Sequence, residues 1–201
     1  MDFAQQKTEG AIVSLRIYKL QDVAFSLTRR CRELPPGGSL TKFTETASKK
    51  QEKHMIFEKR NLDDKTVYAL IELSKAWENE GCSHGIIANE KDDLKEPLFV
   101  AVEGNEIVGY IFGHYYTVEN KTSYIDVGEK CFMVDEIYVL PQYRSQGIGK
   151  ELFSLLEKEV KDSCVYITLS TSTKDYKKIL HFYVEELGMD FHSAFLIKPT
   201  K

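Results

Sequence analysis

The residues best equipped for chemistry lie in one string, Ile137-Tyr-Val-Leu-Pro-Gln-Tyr-Arg144-Ser-Gln-Gly147-Ile-Gly149-Lys150-Glu-Leu152. An apolar, β-branched run passes through Pro141 into a short turn, and Arg-x-x-Gly-x-Gly then opens a helix. Such a string makes an anion cradle. Its glycines let a ligand approach the main chain, and the N–H groups of the first helical turn, which have no acceptor inside the helix, point at negative oxygens. Ser145, Gln146 and Ile148 belong to the same turn, and Arg144 and Lys150 bring positive charge to it. A Walker loop, G-x-x-x-x-G-K-[ST], fails twice, because Arg144 stands at its first glycine and Glu151 follows the lysine. A dinucleotide fingerprint would need glycine where Leu152 stands. What remains is a pyrophosphate loop of the form R/Q-x-x-G-x-G/A after a strand.

On this strand-to-helix string the sequence resembles the GCN5-related N-acetyltransferase (GNAT) family, whose enzymes move an acetyl group from acetyl-CoA to an amine. The resemblance covers about residues 55–198. Downstream, Phe182-Tyr183-Val-Glu-Glu-Leu187-Gly188-Met189 matches a family helix that carries a tyrosine and ends in a leucine-glycine-aromatic turn, with Met189 in the aromatic place. By that pattern Tyr183 lies near the CoA sulfur and can donate a proton to the leaving thiolate. A core aromatic on an apolar stripe is the alternative reading. Where family members often carry Asn and Ala, seven and four residues earlier, this chain has Tyr176 and Ile179. The resemblance also implies that main-chain groups of Ile137, Tyr138 and Val139 pair with the pantetheine arm like an added strand. It implies acetyl-CoA as acyl donor, no metal, and direct transfer in a ternary complex. A CoA-binding sensor or scaffold without catalysis is the alternative that Tyr176 and Ile179 leave standing.

An amine acceptor with a pKa of about 10 must lose a proton before it attacks a thioester. Glu136 is the candidate general base, directly or through water, with Asp135 as the neighbour to test beside it. Burying an unpaired charge is costly, so two successive carboxylates entering an apolar strand put at least one at a cleft or at a solvated strand end. The acidic body suits a small cationic acceptor, a polyamine, an aminoglycoside-like or a lysine-like amine, with a protein amine such as an N-terminus as the other expectation.

These residues need a scaffold to hold them. Met55 to Lys59 reads as a strand. A helix capped by Asn61 or Asp63 follows, with Val67, Leu70, Ile71, Ser74 and Trp77 on its apolar face. Leu98 to Glu103 and Ile107 to Val118 are strands around the hairpin dipeptide Gly104-Asn105. Cys131 to Leu140 is a buried strand, Gln146 to Asp162 a helix, and Val165 to Leu169 another strand. Tyr176, Ile179, Leu180, Tyr183, Val184 and Leu187 form a helical stripe closed by Gly188. A last strand pair is expected over about Phe191 to Ile197. A hairpin followed by alternating strands and helices predicts an α/β or α+β class. The resemblance makes this a GNAT-like acyl-CoA N-acyltransferase fold, a mixed, mostly antiparallel central sheet flanked by helices.

The chain has 201 residues, 42% hydrophobic and 29% charged, a globular composition. Residues 1–54 carry ten Lys/Arg against six Asp/Glu, and residues 55–201 carry seventeen against twenty-five. The break at 54, after Pro35-Pro36-Gly37-Gly38 and a polar stretch, divides a basic N-terminal extension (1–54) from an acetyltransferase domain (55–201). In the extension, Val13, Leu15 and Ile17 alternate like a strand, and Leu20 to Leu34 have helical spacing. An acidic body excludes a phosphate-tracking nucleic-acid binder and suits a cationic partner. No apolar run approaches the roughly 18 residues of a membrane span. Neither a secretory leader nor a metal-spaced cysteine pair is visible. The expectation is a cytoplasmic enzyme, and a homodimer is compatible with it. The histidines at 84, 114, 181 and 192 are dispersed and read as surface or packing residues.

Overall fold

The computed structural model describes residues 54–200. The strand and helix expected before residue 35 lie outside the described residues. Among those described, five strands form one sheet in the order β1-β2-β3-β4-β5. These are β1 (Met55–Arg60), β2 (Leu98–Glu103), β3 (Glu106–Thr117), β4 (Lys130–Val139) and β5 (Ile167–Thr168). The first four pair antiparallel, and β4 pairs parallel with β5. The turn between β2 and β3 has Gly104 at φ +64°, the backbone region that a two-residue hairpin needs and that glycine adopts without steric cost.

Helix α1 (Asp64–Asn79) begins where Asp63 accepts the Thr66 N–H at 2.7 Å. It lays Val67, Leu70, Leu73 and Trp77 on one face of the sheet, against Leu98, Val100, Tyr110, Phe112 and Tyr138. Helix α2 (Ile148–Val160) buries Ile148, Leu152, Phe153 and Leu156 on the opposite face, against Ile111, Phe132, Val134, Ile137 and Val139. Helix α3 (Tyr176–Leu180) joins this second core through Ile179 and continues into a wider turn over His181–Glu186 that contributes Phe182 and Tyr183. No helix among the described residues is long and apolar enough to cross a membrane.

Strand β4 is buried on both faces and carries one extra residue. Phe112 pairs with Glu136, yet Gly113 pairs with Val134, so Asp135 has no partner across the ladder. A bulge of this kind shifts the side-chain alternation by one. Phe132 and Val134 face the α2 core before it, and Ile137 and Val139 face that core after it.

Two expectations change. Strand β5 is two residues long, shorter than the expected Val165 to Leu169, and residues 189–200 form no strand. Phe195 and Leu196 are more than four-fifths exposed. Their apolar alternation is a local signal, whereas a strand also needs an edge to pair with, and two residues offer almost none.

Of the two glycines inside the sheet, Gly109 and Gly113, the one with less room for a side chain is Gly113, beside the bulge. A Cβ there would run into the Met133 carbonyl oxygen and the Phe132 ring. Gly113→Ala should therefore lower stability by about 3 kcal/mol or more, read as a shift of the urea midpoint. Alanine at Gly104, where a Cβ meets nothing within 4 Å, should cost only its left-handed strain of about 1–2 kcal/mol.

Candidate active site

The string that opened the sequence reading folds as a strand, a single 3-10 turn (Pro141–Tyr143) and the N-terminus of α2. Gly147 caps α2 at φ +78°, in the left-handed region. The first helical hydrogen bond runs from the Glu151 N–H to the Gly147 carbonyl, 3.0 Å, so the N–H groups of Ile148, Gly149 and Lys150 have no acceptor within the helix. These groups edge a cavity of about 210 Å³ lined by Val139, Tyr143, Arg144, Ser145, Gly147 to Lys150, Phe182 and Glu186. A Cβ on Gly147 would meet nothing within 4 Å. Ser145 also has positive φ, 60°, and the two positive-φ residues bend the chain around the cavity mouth.

Arg144 lines this cavity, but its guanidinium is held elsewhere. It donates to both Glu80 oxygens at 2.7 and 3.0 Å and to the Val139 carbonyl at 2.7 Å, and its side chain is only 6% exposed. Tyr138 donates to the same Glu80 carboxylate at 2.9 Å and stacks on Trp77 at 5.4 Å. Burial, with the Glu80 charge beside it, pushes the Tyr138 phenol far up. Arg144 is thus a strut that ties the end of α1 to the turn before α2, and Lys150 is the cation of that turn whose charge remains at the cavity. Gln146 is exposed, bonds the Gln142 carbonyl at 3.2 Å and does not line the cavity.

Along β4 the second half of the site takes shape. Strand β5 pairs with β4 only at Phe132 and Met133. Beyond Thr168 the chain turns away to the loop after α1, where the Lys174 N–H bonds the Cys82 carbonyl at 2.9 Å and the His84 N–H bonds the Ser172 carbonyl at 3.0 Å. From Val134 to Val139, no strand among the described residues runs against the β5-side edge of β4. Ile137 and Tyr138 lie in this stretch, and Val139 ends it at the cavity.

Glu136 is 3% exposed. One of its oxygens accepts the Asn89 side-chain N–H at 2.7 Å and the Tyr110 hydroxyl at 2.8 Å. The Tyr110 phenol is pushed well up by burial and by the adjacent carboxylate. Asn89 is itself held by Ser74 of α1, whose hydroxyl accepts its main-chain N–H at 2.8 Å. Tyr183 is 3% exposed in the α2 core, and among the described residues its hydroxyl has no hydrogen-bond partner. Burial alone raises its pKa far above the ordinary tyrosine value. The wide turn that carries it is closed by the Leu187 N–H on the Phe182 carbonyl, 3.0 Å, and the Met189 N–H on the Tyr183 carbonyl, 2.9 Å. Wide turns of this type concentrate at functional sites.

The sequence profile of the Acetyltransferase (GNAT) family matches residues 65–189. The chain belongs to the GNAT acetyltransferase family. Solved GNAT-fold structures agree at low identity. One is an aminoglycoside acetyltransferase from an uncultured soil metagenomic sample, 17% identical over 73% of this chain and 97% of that one, TM-score 0.51. A predicted acetyltransferase with acetyl-CoA from Clostridium acetobutylicum is 17% identical over 73% and 96%, TM-score 0.53. A ribosomal-protein-alanine N-acetyltransferase from Brucella melitensis is 16% identical over 72% and 99%, TM-score 0.50. None of the curated proteins matches in sequence.

Within this GNAT domain the sequence reading missed Glu80, Asn89, Tyr110 and Glu186. Each meets its partner across a long sequence separation or lies on an ordinary-looking element, so no local pattern marks it. Tyr143 was within reach, since it sits inside the quoted string.

Gly147 offers a test of the cradle. Gly147→Asn and Gly147→Asp share the left-handed strain, about 1–2 kcal/mol, and differ by one negative charge aimed into the cavity. CoA affinity measured by calorimetry should fall at least about tenfold further for Asp than for Asn, with the two melting temperatures close together.

Proposed function

We propose that this GNAT protein is an acetyl-CoA-dependent N-acetyltransferase that passes the acetyl group directly to a small cationic primary amine in a ternary complex. The observation that carries the reading is the cavity at the N-terminus of α2. Three N–H groups without helical acceptors, a left-handed glycine whose Cβ direction is empty, and Lys150 converge there. That set suits a pyrophosphate, for which the helix terminus supplies oriented donors and a favourable dipole. Ser145, Gly147, Ile148, Gly149 and Lys150 would hold it, with Arg144 fixing the turn. The edge of β4 over Ile137, Tyr138 and Val139 would carry the pantetheine arm by main-chain pairing.

Transfer forms a nitrogen–carbon bond to the acetyl carbonyl and breaks the carbon–sulfur bond, with the electron pair leaving on sulfur. On the acid side, Tyr183 supports protonation of that sulfur, since burial keeps the phenol neutral and its proton is committed to no acceptor among the described residues. On the base side, Glu136 is enclosed, with two donors on one oxygen, so it acts through water and holds negative charge near the amine. The acidic body over residues 55–201, eight charges net negative, supports a cationic acceptor. Thiol release from acetyl-CoA should be detected with at least one of kanamycin, spermidine and lysine ethyl ester. Tight CoA binding without thiol release on any of them would favour a sensor.

For Tyr183→Phe the structure separates rate from stability. If the hydroxyl protonates the thiolate, kcat should fall about 10²–10⁴-fold with CoA affinity little changed. Because the hydroxyl has no partner among the described residues, its removal deletes no hydrogen bond there and relieves an unsatisfied buried group. The variant should melt no lower than the wild-type protein. A kcat within about threefold of wild type would remove Tyr183 from the reaction.

A further inference from the structure

Four ionisable side chains, Tyr110, His114, Asp135 and Glu136, gather on the α1 face of the sheet around the β4 bulge. Tyr110, Phe112 and His114 of β3 alternate onto that face. The bulge turns the consecutive residues Asp135 and Glu136 of β4 toward the same face, for Glu136 bonds Tyr110 while Asp135 bonds His114. Ordinary alternation would send two successive residues to opposite faces. Exposure rises along this row, from Glu136 at 3% to the Asp135 side chain at 21% and the His114 side chain at 46%.

The His114–Asp135 contact is 2.6 Å from Nδ1 to Oδ2. An ionised carboxylate can only accept, so Nδ1 carries the proton and the neutral ring keeps its lone pair on Nε2. A histidine whose Nδ1–H is fixed by a carboxylate is held in one tautomer and presents the lone pair of Nε2 outward.

The position of this pair matches the transfer chemistry proposed above, on which the inference rests. Val139 lies at the cavity, and Asp135 is four residues back along β4, about 13 Å at ~3.3 Å per residue. An arm anchored at the cavity and laid along the open edge therefore brings its far end to the bulge. The bulge lies at the start of the stretch Val134 to Val139 that no strand among the described residues covers on the β5 side, and His114 stands beside it on the α1 face, bonded to Asp135.

We infer that His114, oriented by Asp135, is the general base that takes the proton from the attacking amine. The acceptor arrives as an ammonium, and His114 Nε2 takes one of its protons and passes it to solvent, which frees the nitrogen lone pair. That pair forms the new bond to the acetyl carbon as the carbon–sulfur pair leaves on sulfur. The second proton, shed as the amide forms, balances the one the departing sulfur takes up. Asp135 is a positioning residue. Glu136, enclosed behind Asn89 and Tyr110, contributes its charge through water and is not the first proton acceptor.

The test uses full-length protein, with whichever of kanamycin, spermidine and lysine ethyl ester the wild type acetylates fastest, and with hydroxylamine as a second acceptor. The nitrogen of hydroxylamine is already unprotonated at neutral pH. His114→Gln should lower kcat with the protonated amine by about 10²-fold or more, and Asp135→Asn by about tenfold. CoA affinity measured by calorimetry should stay within about twofold. With hydroxylamine the His114→Gln loss should shrink below about tenfold. Long-range ¹H–¹⁵N spectra should show His114 as the Nδ1–H tautomer in the wild-type protein and as a mixture in Asp135→Asn. A kcat within about threefold of wild type for His114→Gln would overturn the inference, as would an equal loss with both acceptors, which would mark a purely structural role. A wild-type protein that acetylates no amine would instead overturn the transferase reading, and the inference with it.

Discussion

Strand β4 is the constraint on which the rest of the molecule depends. It is packed on both faces, paired along one edge with β3, and joined along the other to β5 at only two residues. A strand buried on both sides cannot move without disturbing two cores, so whatever lies along its free edge is held by the most rigid part of the fold. The bulge at Asp135 adds a second function to the same strand. By shifting the alternation it lets hydrophobic residues keep facing α2 on both sides of the defect, while two consecutive carboxylates emerge toward α1. The bulge also explains why Gly113 must be glycine, since a Cβ there would run into the Met133 carbonyl oxygen.

Two polar networks fasten α1 and its following loop to β4. In one, Glu80 accepts from both Arg144 nitrogens and from Tyr138, and Arg144 also caps the Val139 carbonyl. In the other, Ser74 holds Asn89, which with Tyr110 holds Glu136. Each surrounds a carboxylate with donors, which is what makes a buried negative charge tolerable. A buried ion pair contributes little net stability compared with hydrophobic packing, but losing one partner strands the other. The Glu80 network is therefore better understood as fixing geometry. It sets where the turn before α2 leaves β4, and so where the first N–H groups of α2 point.

What the sequence made legible was local. The start of α2 follows from glycine spacing, a cap at Asn61 or Asp63 from its place just before the apolar face of α1, and the hairpin from Gly104-Asn105, because each signal acts within a few residues. The structure assigns the cap to Asp63. The function of Arg144 was not legible. Its type and position suit a phosphate, but its partner Glu80 lies 64 residues away, and no pattern links the two. The bulge was equally hidden, since one extra residue in an apolar run changes neither composition nor period by eye. Histidine 114 looked dispersed for the same reason, as its partner lies 21 residues on. The strand expected over Phe191 to Ile197 fails for the complementary reason. Alternation describes what a segment can do, and the two-residue β5 decides that it does not do so here.

Glu136 and Tyr183 differ sharply in how far the protein satisfies them. Around Glu136 nearly every polar demand is met inside the protein, at the cost of tying down Asn89 and Tyr110. Around Tyr183 none is met among the described residues, although a buried hydroxyl without a partner costs about 1–3 kcal/mol. Folding alone gives no reason to keep that hydroxyl, because phenylalanine would fill the same volume without the penalty. On the proposed reading, this unsatisfied donor in the α2 core awaits a ligand that brings the acceptor with it, as the sulfur of an acyl thioester does when it leaves. On the proposed reading the site is therefore pre-satisfied where it must hold charge and left incomplete where it must give up a proton. On that reading the distribution suits a transfer site rather than a pocket that only binds.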